Sequence, residues 1–285
     1  MSWHSLIGQV QCLVMNESDR SMPDANQIGL LTSTVLLALA LARLIPSQGL
    51  TLAVQFPGFL LNLPVNITTL MSIFTAGLTA TGMDWLLRGH PSINDRKTFQ
   101  WWILPALTTF VISVLLSILP GGRSWWIGFI LTGAFVFFVI LAEYIVVDAD
   151  ASYYTLSVMG LTAISYALFF ILAIALRSSS IRLFLLLPAL FMASSFAGLR
   201  ILRLRSSGKW EYAWALGIGL ICVQLAASLH YWPITPIQFG LLLIGPLYGL
   251  INLAINLGDN IPTRRAAFET AIVTALCWSL AIFIR

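Results

Sequence analysis

The sequence predicts an all-α polytopic transmembrane helical bundle of about nine spans. Of its 285 residues, 59% are hydrophobic and only 9% are charged, whereas a soluble domain has about 25% charged residues. Residues 125–142 carry no charge, and about 20 apolar residues let a helix cross a hydrocarbon core of about 30 Å. The two tryptophans that begin this stretch are typical of a membrane–water interface.

The basic residues indicate membrane topology rather than nucleic-acid binding. The net charge is +4, but the 15 Lys and Arg residues lie in short connections between apolar segments, as charges that orient membrane spans do. The three cysteines, Cys12, Cys222 and Cys277, are far apart in the sequence and indicate neither a disulfide framework nor a metal site. We therefore expect no nucleic-acid partner, no metal and no cofactor.

Residues 1–26 form a polar segment before the first span. The segment lacks the basic start and the cleavage site of a secretory signal, and two glutamines interrupt its apolar part. We expect residues 1–26 to be a cytoplasmic leader and residues 27–285 to be a single transmembrane domain. Met15 and Met22 are alternative starts of the chain.

The first span, residues 27–45, is followed by an apolar segment that cannot be one helix. Residues 49–66 contain Pro57, Gly58 and Pro64, which interrupt helical backbone. The first part of the segment alternates apolar and polar residues in a weak strand-like pattern, and lipid does not tolerate an open strand edge. We predict that it lies at the membrane surface or folds back into protein as a re-entrant loop.

The other spans follow after short connections. They are predicted at residues 66–87, 99–119, within 125–150, and at 153–176, 181–199, 210–229, 236–257 and 266–284. Pro120, Gly121 and Gly122 form a tight turn, so the third and fourth spans should be an antiparallel pair. Pro188 lies inside the sixth span and predicts a kink.

The distribution of basic residues predicts the orientation in the membrane. With a cytoplasmic leader, the inside segments hold Arg20, Arg88, Arg96, Lys97, Arg200, Arg203, Arg205, Lys209, Arg264 and Arg265. The outside segments hold Arg43, Arg123, Arg177, Arg182 and Arg285. Ten basic residues against five favour a cytoplasmic N-terminus and a C-terminus outside.

Two carboxylates in the predicted spans, Asp84 and Glu143, are the first candidates for chemistry. Both lie toward the predicted cytoplasmic ends, where adjacent spans would let them share a proton or a cation. The structural alternative is that Asp84 pairs with Arg88 one turn away and that Glu143 reaches the headgroup layer. We favour the alternative, because pairing and snorkelling near helix ends cost little.

Further polar residues lie on the seventh and eighth spans. Gln224, Asn252 and Asn256 could line a polar cavity, or the asparagines could hydrogen-bond between helices, which we favour. Gly245 and Gly249 have the spacing that allows two helices to pack closely. At the outer end, a ligand site at His230 and an aromatic belt with its neighbours are both compatible with the sequence, and we favour the belt.

The basic residues at the predicted cytoplasmic ends form a rim that would attract anionic lipid. The rim consists of Arg88, Arg96, Lys97, Arg200, Arg203, Arg205 and Lys209. An enzyme acting on lipid-linked substrates would also have to use these residues. The sequence contains no G-x-S-x-G, H-E-x-x-H, Walker or G-x-G-x-x-G motif, which disfavours an enzyme. The absence of an internal repeat disfavours an inverted-repeat carrier.

Five phrases of the sequence resemble an uncharacterised family of bacterial polytopic membrane proteins. They are MDWLLRGHP (83–91), LPGG (119–122), AEYIVVDAD (142–150), FLLLPAL (184–190) and HYWP (230–233). The resemblance implies a bacterial inner-membrane protein but no activity, substrate or functional residue.

Three classes of function are compatible with these observations. The scarcity of intramembrane charge favours a non-catalytic membrane subunit or scaffold. The alternatives are a small-solute or ion carrier that uses Asp84 and Glu143, and an enzyme acting on lipid-linked substrates at the cytoplasmic rim. The expected partners are a bilayer with anionic lipids and either another membrane protein or a second copy of the chain.

Overall fold

The computed structural model describes residues 25–44, 49–56, 59–89, 99–148, 153–179, 182–205 and 211–284. In these ranges the chain forms nine helices and one two-stranded hairpin. They are α1 (Ala25–Leu44), β1 (Gly49–Phe56), β2 (Phe59–Asn66), α2 (Ile67–Arg88), α3 (Phe99–Ile118), α4 (Arg123–Ile145), α5 (Tyr154–Ser178), α6 (Leu183–Arg205), α7 (Tyr212–His230), α8 (Pro236–Gly258) and α9 (Thr263–Phe283). Residues 1–24 of the leader and the basic residues Arg96, Lys97 and Lys209 lie outside the described residues.

Eight of these helices are long and apolar enough to cross a membrane, which confirms the predicted polytopic helical bundle. The exception is α3, in which the apolar stretch Trp101–Ser117 is shorter. Helices suit this environment because each satisfies its backbone hydrogen bonds internally, without water.

The interrupted segment after α1 is an antiparallel β-hairpin. β1 pairs with β2 from Gly49 opposite Asn66 to Phe56 opposite Phe59. The weak alternation in the sequence therefore marked a real strand, and the pairing satisfies backbone groups along the facing edges of the two strands. Its position relative to the membrane stays a prediction.

The chain divides into two compact units, residues 1–161 and 162–285. In the first unit, α1 packs on α2 and α4, and α3 packs on the same two helices. Their shared core contains Ile28, Leu31, Val35, Leu39, Met83, Leu86, Leu87, Ile112, Leu116, Trp125, Val136, Ile140 and Tyr144. The α1 members recur at helical spacing, so one face of α1 is buried. Gly82 on α2 fits against Leu31 with no room for a Cβ atom.

The turn between α3 and α4 has the tight geometry that the sequence predicts. Gly122 has a positive φ of 98°, a conformation that glycine adopts without steric cost. A Cβ atom on Gly121 would lie 3.0 Å from Nη2 of Arg43, so the end of α1 lies at this turn. The contact of α3 with α4 confirms the predicted pair.

In the second unit, α6 pairs with α7 and α8 pairs with α9. Hydrogen bonds between α8 and α9 supplement apolar packing. Thr270 donates to the Gly249 carbonyl at 2.9 Å and Trp278 donates to the Leu242 carbonyl at 3.1 Å. Hydrogen bonds therefore connect α8 and α9 at two positions along their interface.

Candidate functional site

Asp84 forms an ion pair with Arg88 within α2. Oδ2 of Asp84 lies 2.7 Å from Nη2 of Arg88, one turn further along the helix. The Asp84 side chain is 18% exposed, while that of Arg88 is 76% exposed. Oppositely charged residues four positions apart on a helix are neighbours. The prediction that Asp84 pairs with Arg88 is therefore confirmed.

Glu143 has no exposed surface. It lies on α4 between Ile140, which is also fully enclosed, and Tyr144, which is almost so. The expectation that Glu143 reaches the headgroup layer is wrong, because neighbouring protein encloses the whole side chain. A buried carboxylate is stable only when it has partners, and Glu143 does interact with another group.

The helices that carry the two carboxylates do not share an extensive interface in the part of the chain that the structure describes. α2 packs mainly on α1 and α3, and so does α4. The sharing of a proton or a cation by Asp84 and Glu143 therefore stays a prediction.

The asparagines of α8 each bind a different neighbouring helix. Arg205 of α6 donates from Nη1 to Oδ1 of Asn252 at 3.2 Å. Asn256 donates from Nδ2 to Oε2 of Glu269 on α9 at 3.1 Å. Gln224 is exposed on α7 and hydrogen-bonds to neither. This geometry favours the structural role of the asparagines over the polar cavity.

Close packing at the two α8 glycines is confirmed. A Cβ atom on Gly245 would lie 2.7 Å from Cβ of Cys277, and one on Gly249 would lie 2.8 Å from Cγ2 of Thr270. Both distances are shorter than real side-chain contacts allow, so the approach of α9 requires glycine at these positions.

Three arginines of the basic rim lie on a helix and not in a connection. α6 extends to Arg205, so Arg200, Arg203 and Arg205 belong to its last turns rather than to the predicted connection. Arginine is a good helix former and basic residues are favourable near a helix C-terminus. Arg88 and Arg205 are exposed, but Arg200 is only 1% exposed and therefore does not lie on a lipid-facing surface.

A cavity that the sequence analysis did not predict lies in the second unit at the ends of α5 to α8. It is a half-open depression and not an enclosed chamber, and its volume is about 490 Å³. Its walls combine polar Arg177, Ser178 and His230 with apolar Leu176, Leu186 and Ile234, and Pro236 completes its lining. The sequence pattern indicated only that Arg177 helps to orient the spans. Its role in the cavity could not be predicted, because its partners lie far along the chain.

Arg177 is fixed at the wall of this cavity. It donates from Nη1 to the main-chain oxygen of His230 at 2.7 Å and from Nη2 to that of Trp232 at 3.0 Å. Its guanidinium carbon lies 5.6 Å from the centre of the Phe239 ring, within range of a cation–π interaction. Tyr231 and Trp232 are highly exposed, as an aromatic belt requires, whereas His230 is half-buried.

Comparison with known proteins identifies a family but no activity. A family model described as "Protein of unknown function (DUF5656)" matches residues 47–284, a range that includes every element from β1 to α9. No curated protein and no solved structure matches the chain.

Proposed function

The chain belongs to this family of unknown function, and from that premise we propose that it is a non-catalytic membrane subunit or scaffold. We place it in the bacterial inner membrane with its N-terminus in the cytoplasm and its C-terminus outside. The excess of basic residues in the inside segments supports this orientation, and the resemblance of the sequence supports the bacterial membrane.

One observation carries the proposal: polar groups within or near the spans bind one another. Asp84 is paired with Arg88, and Asn252 and Asn256 hydrogen-bond to neighbouring helices. A carrier needs polar groups that exchange their partners for a substrate or an ion. Groups that join helices instead stabilise one arrangement, as a subunit or scaffold requires.

The last helix offers a face for another membrane protein. Only 11% of the residues in the apolar stretch of α9 are buried within the chain, and Phe268 and Leu276 are 67% and 62% exposed. This face would bind lipid or a partner helix. At the cytoplasmic ends, the exposed Arg88 and Arg205 favour anionic lipid.

A carrier is the second candidate, because of Glu143. An ionisable side chain that is fully enclosed within a membrane-spanning helix is by default a candidate for proton or ion binding. The hypothesis of an enzyme acting on lipid-linked substrates has less support, because it requires rim arginines that can contact a substrate and Arg200 is enclosed.

Site-specific photo-crosslinking in cells tests the proposal. A photoreactive residue at Phe268 or Leu276 should give one discrete protein adduct, and the same residue at the exposed Leu41 of α1 should give none. The adduct should persist in Asp84→Asn and Glu143→Gln. Lipid adducts alone at all three positions, together with a proton flux in proteoliposomes that Glu143→Gln abolishes, would establish the carrier instead.

A further inference from the structure

We propose that the cavity at Arg177 and His230 is a binding site for a phosphate group. The shared chemistry is a phosphate monoester or diester, carried by a lipid headgroup or by a small soluble molecule. The site uses neither the polar pairs nor the exposed face of α9 on which the proposed function rests, and only its side of the membrane depends on the proposed orientation.

Arg177 supplies a fixed positive charge that no carboxylate of the described residues neutralises. A guanidinium has five N–H groups, and the two hydrogen bonds to the His230 and Trp232 carbonyls use only two of them. Within the described ranges, Arg177 has no ion pair. Its position is set by the two carbonyls and the Phe239 ring, so the remaining N–H groups are oriented before a ligand binds. Oriented guanidinium donors match phosphate oxygens well.

His230 adds an unused polar atom to the same wall. Its Nδ1 atom is buried and has no hydrogen-bond partner among the described residues. Buried polar atoms without partners are uncommon in native structures, and each requires an explanation. Because Nδ1 has almost no accessible surface, the imidazole ring would turn toward the cavity to form a hydrogen bond with a ligand oxygen there.

Two further features favour an anion over a cation or a neutral ligand. α8 begins at Pro236, which lines the cavity, and the N-terminal end of a helix carries partial positive charge. Thr235 and Gln238 form a capping box there, which occupies some of the N–H groups at this helix end. The helix end therefore favours an anion mainly through its dipole. Among the described residues that line the cavity there is no carboxylate, so none of these side chains repels an anion.

The size and walls of the cavity define the ligand further. About 490 Å³ is within the range of small-molecule sites and exceeds what a single phosphate ion fills. The apolar Leu176, Leu186 and Ile234 would contact an organic substituent of the phosphate. The site lies at the end of the bundle that we propose to face outside, where phospholipid headgroups and soluble phosphate esters both have access.

Calorimetric titration of the purified full-length protein in detergent tests the site. The probes are inorganic phosphate, glycerol 3-phosphate and dihexanoyl phosphatidic acid, with dihexanoylglycerol as the phosphate-free control. We expect at least one phosphate probe to bind and the control not to bind. Binding of phosphatidic acid alone identifies a lipid headgroup, and binding of glycerol 3-phosphate with equal affinity identifies a soluble ester.

Three variants assign the binding to this cavity. Arg177→Gln should weaken binding at least tenfold, since a charge-assisted contact is lost. His230→Ala should weaken it about threefold to tenfold, and it retains the main-chain carbonyl that Arg177 binds. Arg182→Gln removes an equal charge from an exposed residue outside the cavity lining and should change affinity less than twofold. If no phosphate probe binds, or if His230→Ala and Arg177→Gln leave the affinity unchanged, the proposal is wrong. Should Arg177→Gln fail to fold, His230→Ala alone decides.

Discussion

Arg205 on α6 and Asn252 on α8 are joined by a hydrogen bond of 3.2 Å between Nη1 and Oδ1. The two residues are 47 positions apart in the sequence, so this bond connects elements that no local pattern relates. It lies in the second unit, near the bond between Asn256 and Glu269 that connects α8 with α9.

Replacing Asn252 with leucine should destabilise the protein by about 0.6 kcal/mol and by no more than about 1.7 kcal/mol, the range for hydrogen bonds between membrane helices. The measurement is reversible unfolding in mixed micelles followed by tryptophan fluorescence. Gln224→Leu is the matched control, because Gln224 is exposed and forms no hydrogen bond with another side chain in the described ranges, and it should change stability little. Equal losses in both variants would contradict a structural role for Asn252.

Replacing Gly249 with alanine should separate α8 from α9. The added Cβ atom would meet Cγ2 of Thr270 at 2.8 Å and the Thr270 carbonyl at 3.2 Å, and backbone cannot move aside as a flexible side chain can. We expect a loss of about 1–3 kcal/mol, as for other overpacked sites, measured as a fall in thermal stability in detergent. Gly217→Ala is the control, since nothing lies within 4 Å of the new atom, and alanine favours a helix by about 1 kcal/mol over glycine. A Gly249→Ala protein as stable as Gly217→Ala would contradict the close contact.

The two carboxylates should differ in their effect on stability. Asp84→Ala breaks an ion pair whose basic partner is mostly exposed, and such pairs contribute about 0–1 kcal/mol. Glu143→Ala removes a fully enclosed side chain and leaves its interaction partner unsatisfied, which costs about 1–3 kcal/mol for a buried polar group, and it leaves a void that costs more. Unfolding of the two variants under the same conditions measures the difference, and a larger loss for Asp84→Ala would contradict the assignment.

Most of the fold could be predicted because membrane spans are long, apolar and continuous in sequence. The Pro120–Gly122 turn and the close packing at Gly245 and Gly249 could also be predicted, since each follows from a short sequence pattern that specifies one local geometry. The hairpin could be predicted only in part. Its prolines excluded one uninterrupted helix and its alternation indicated a strand, but lipid does not tolerate an open strand edge, so a paired hairpin was not predicted.

The candidate site was harder to predict from the sequence, because its contacts join residues that are far apart in the chain. Arg177 and His230 are 53 positions apart, and each has an ordinary interpretation by itself: a charge that orients the spans and a member of an aromatic belt. The burial of Glu143 likewise depends on which helices surround α4. Pairing one helical turn away was the exception, and Asp84 with Arg88 was predicted because that distance is fixed by the helix itself.

The orientation of the second unit gives the last prediction. Ser179, just after α5, and Thr263, at the start of α9, are both exposed and are separated by the three helices α6, α7 and α8. If each helix crosses the membrane, the two residues lie on opposite sides. With its own cysteines replaced, a Ser179→Cys protein should react with a membrane-impermeant maleimide in intact cells, and a Thr263→Cys protein only after permeabilisation. The reverse pattern would invert the proposed orientation. Labelling of both from one side would mean that one of the three helices does not cross, and the cavity at Arg177 and His230 would then require a different membrane environment.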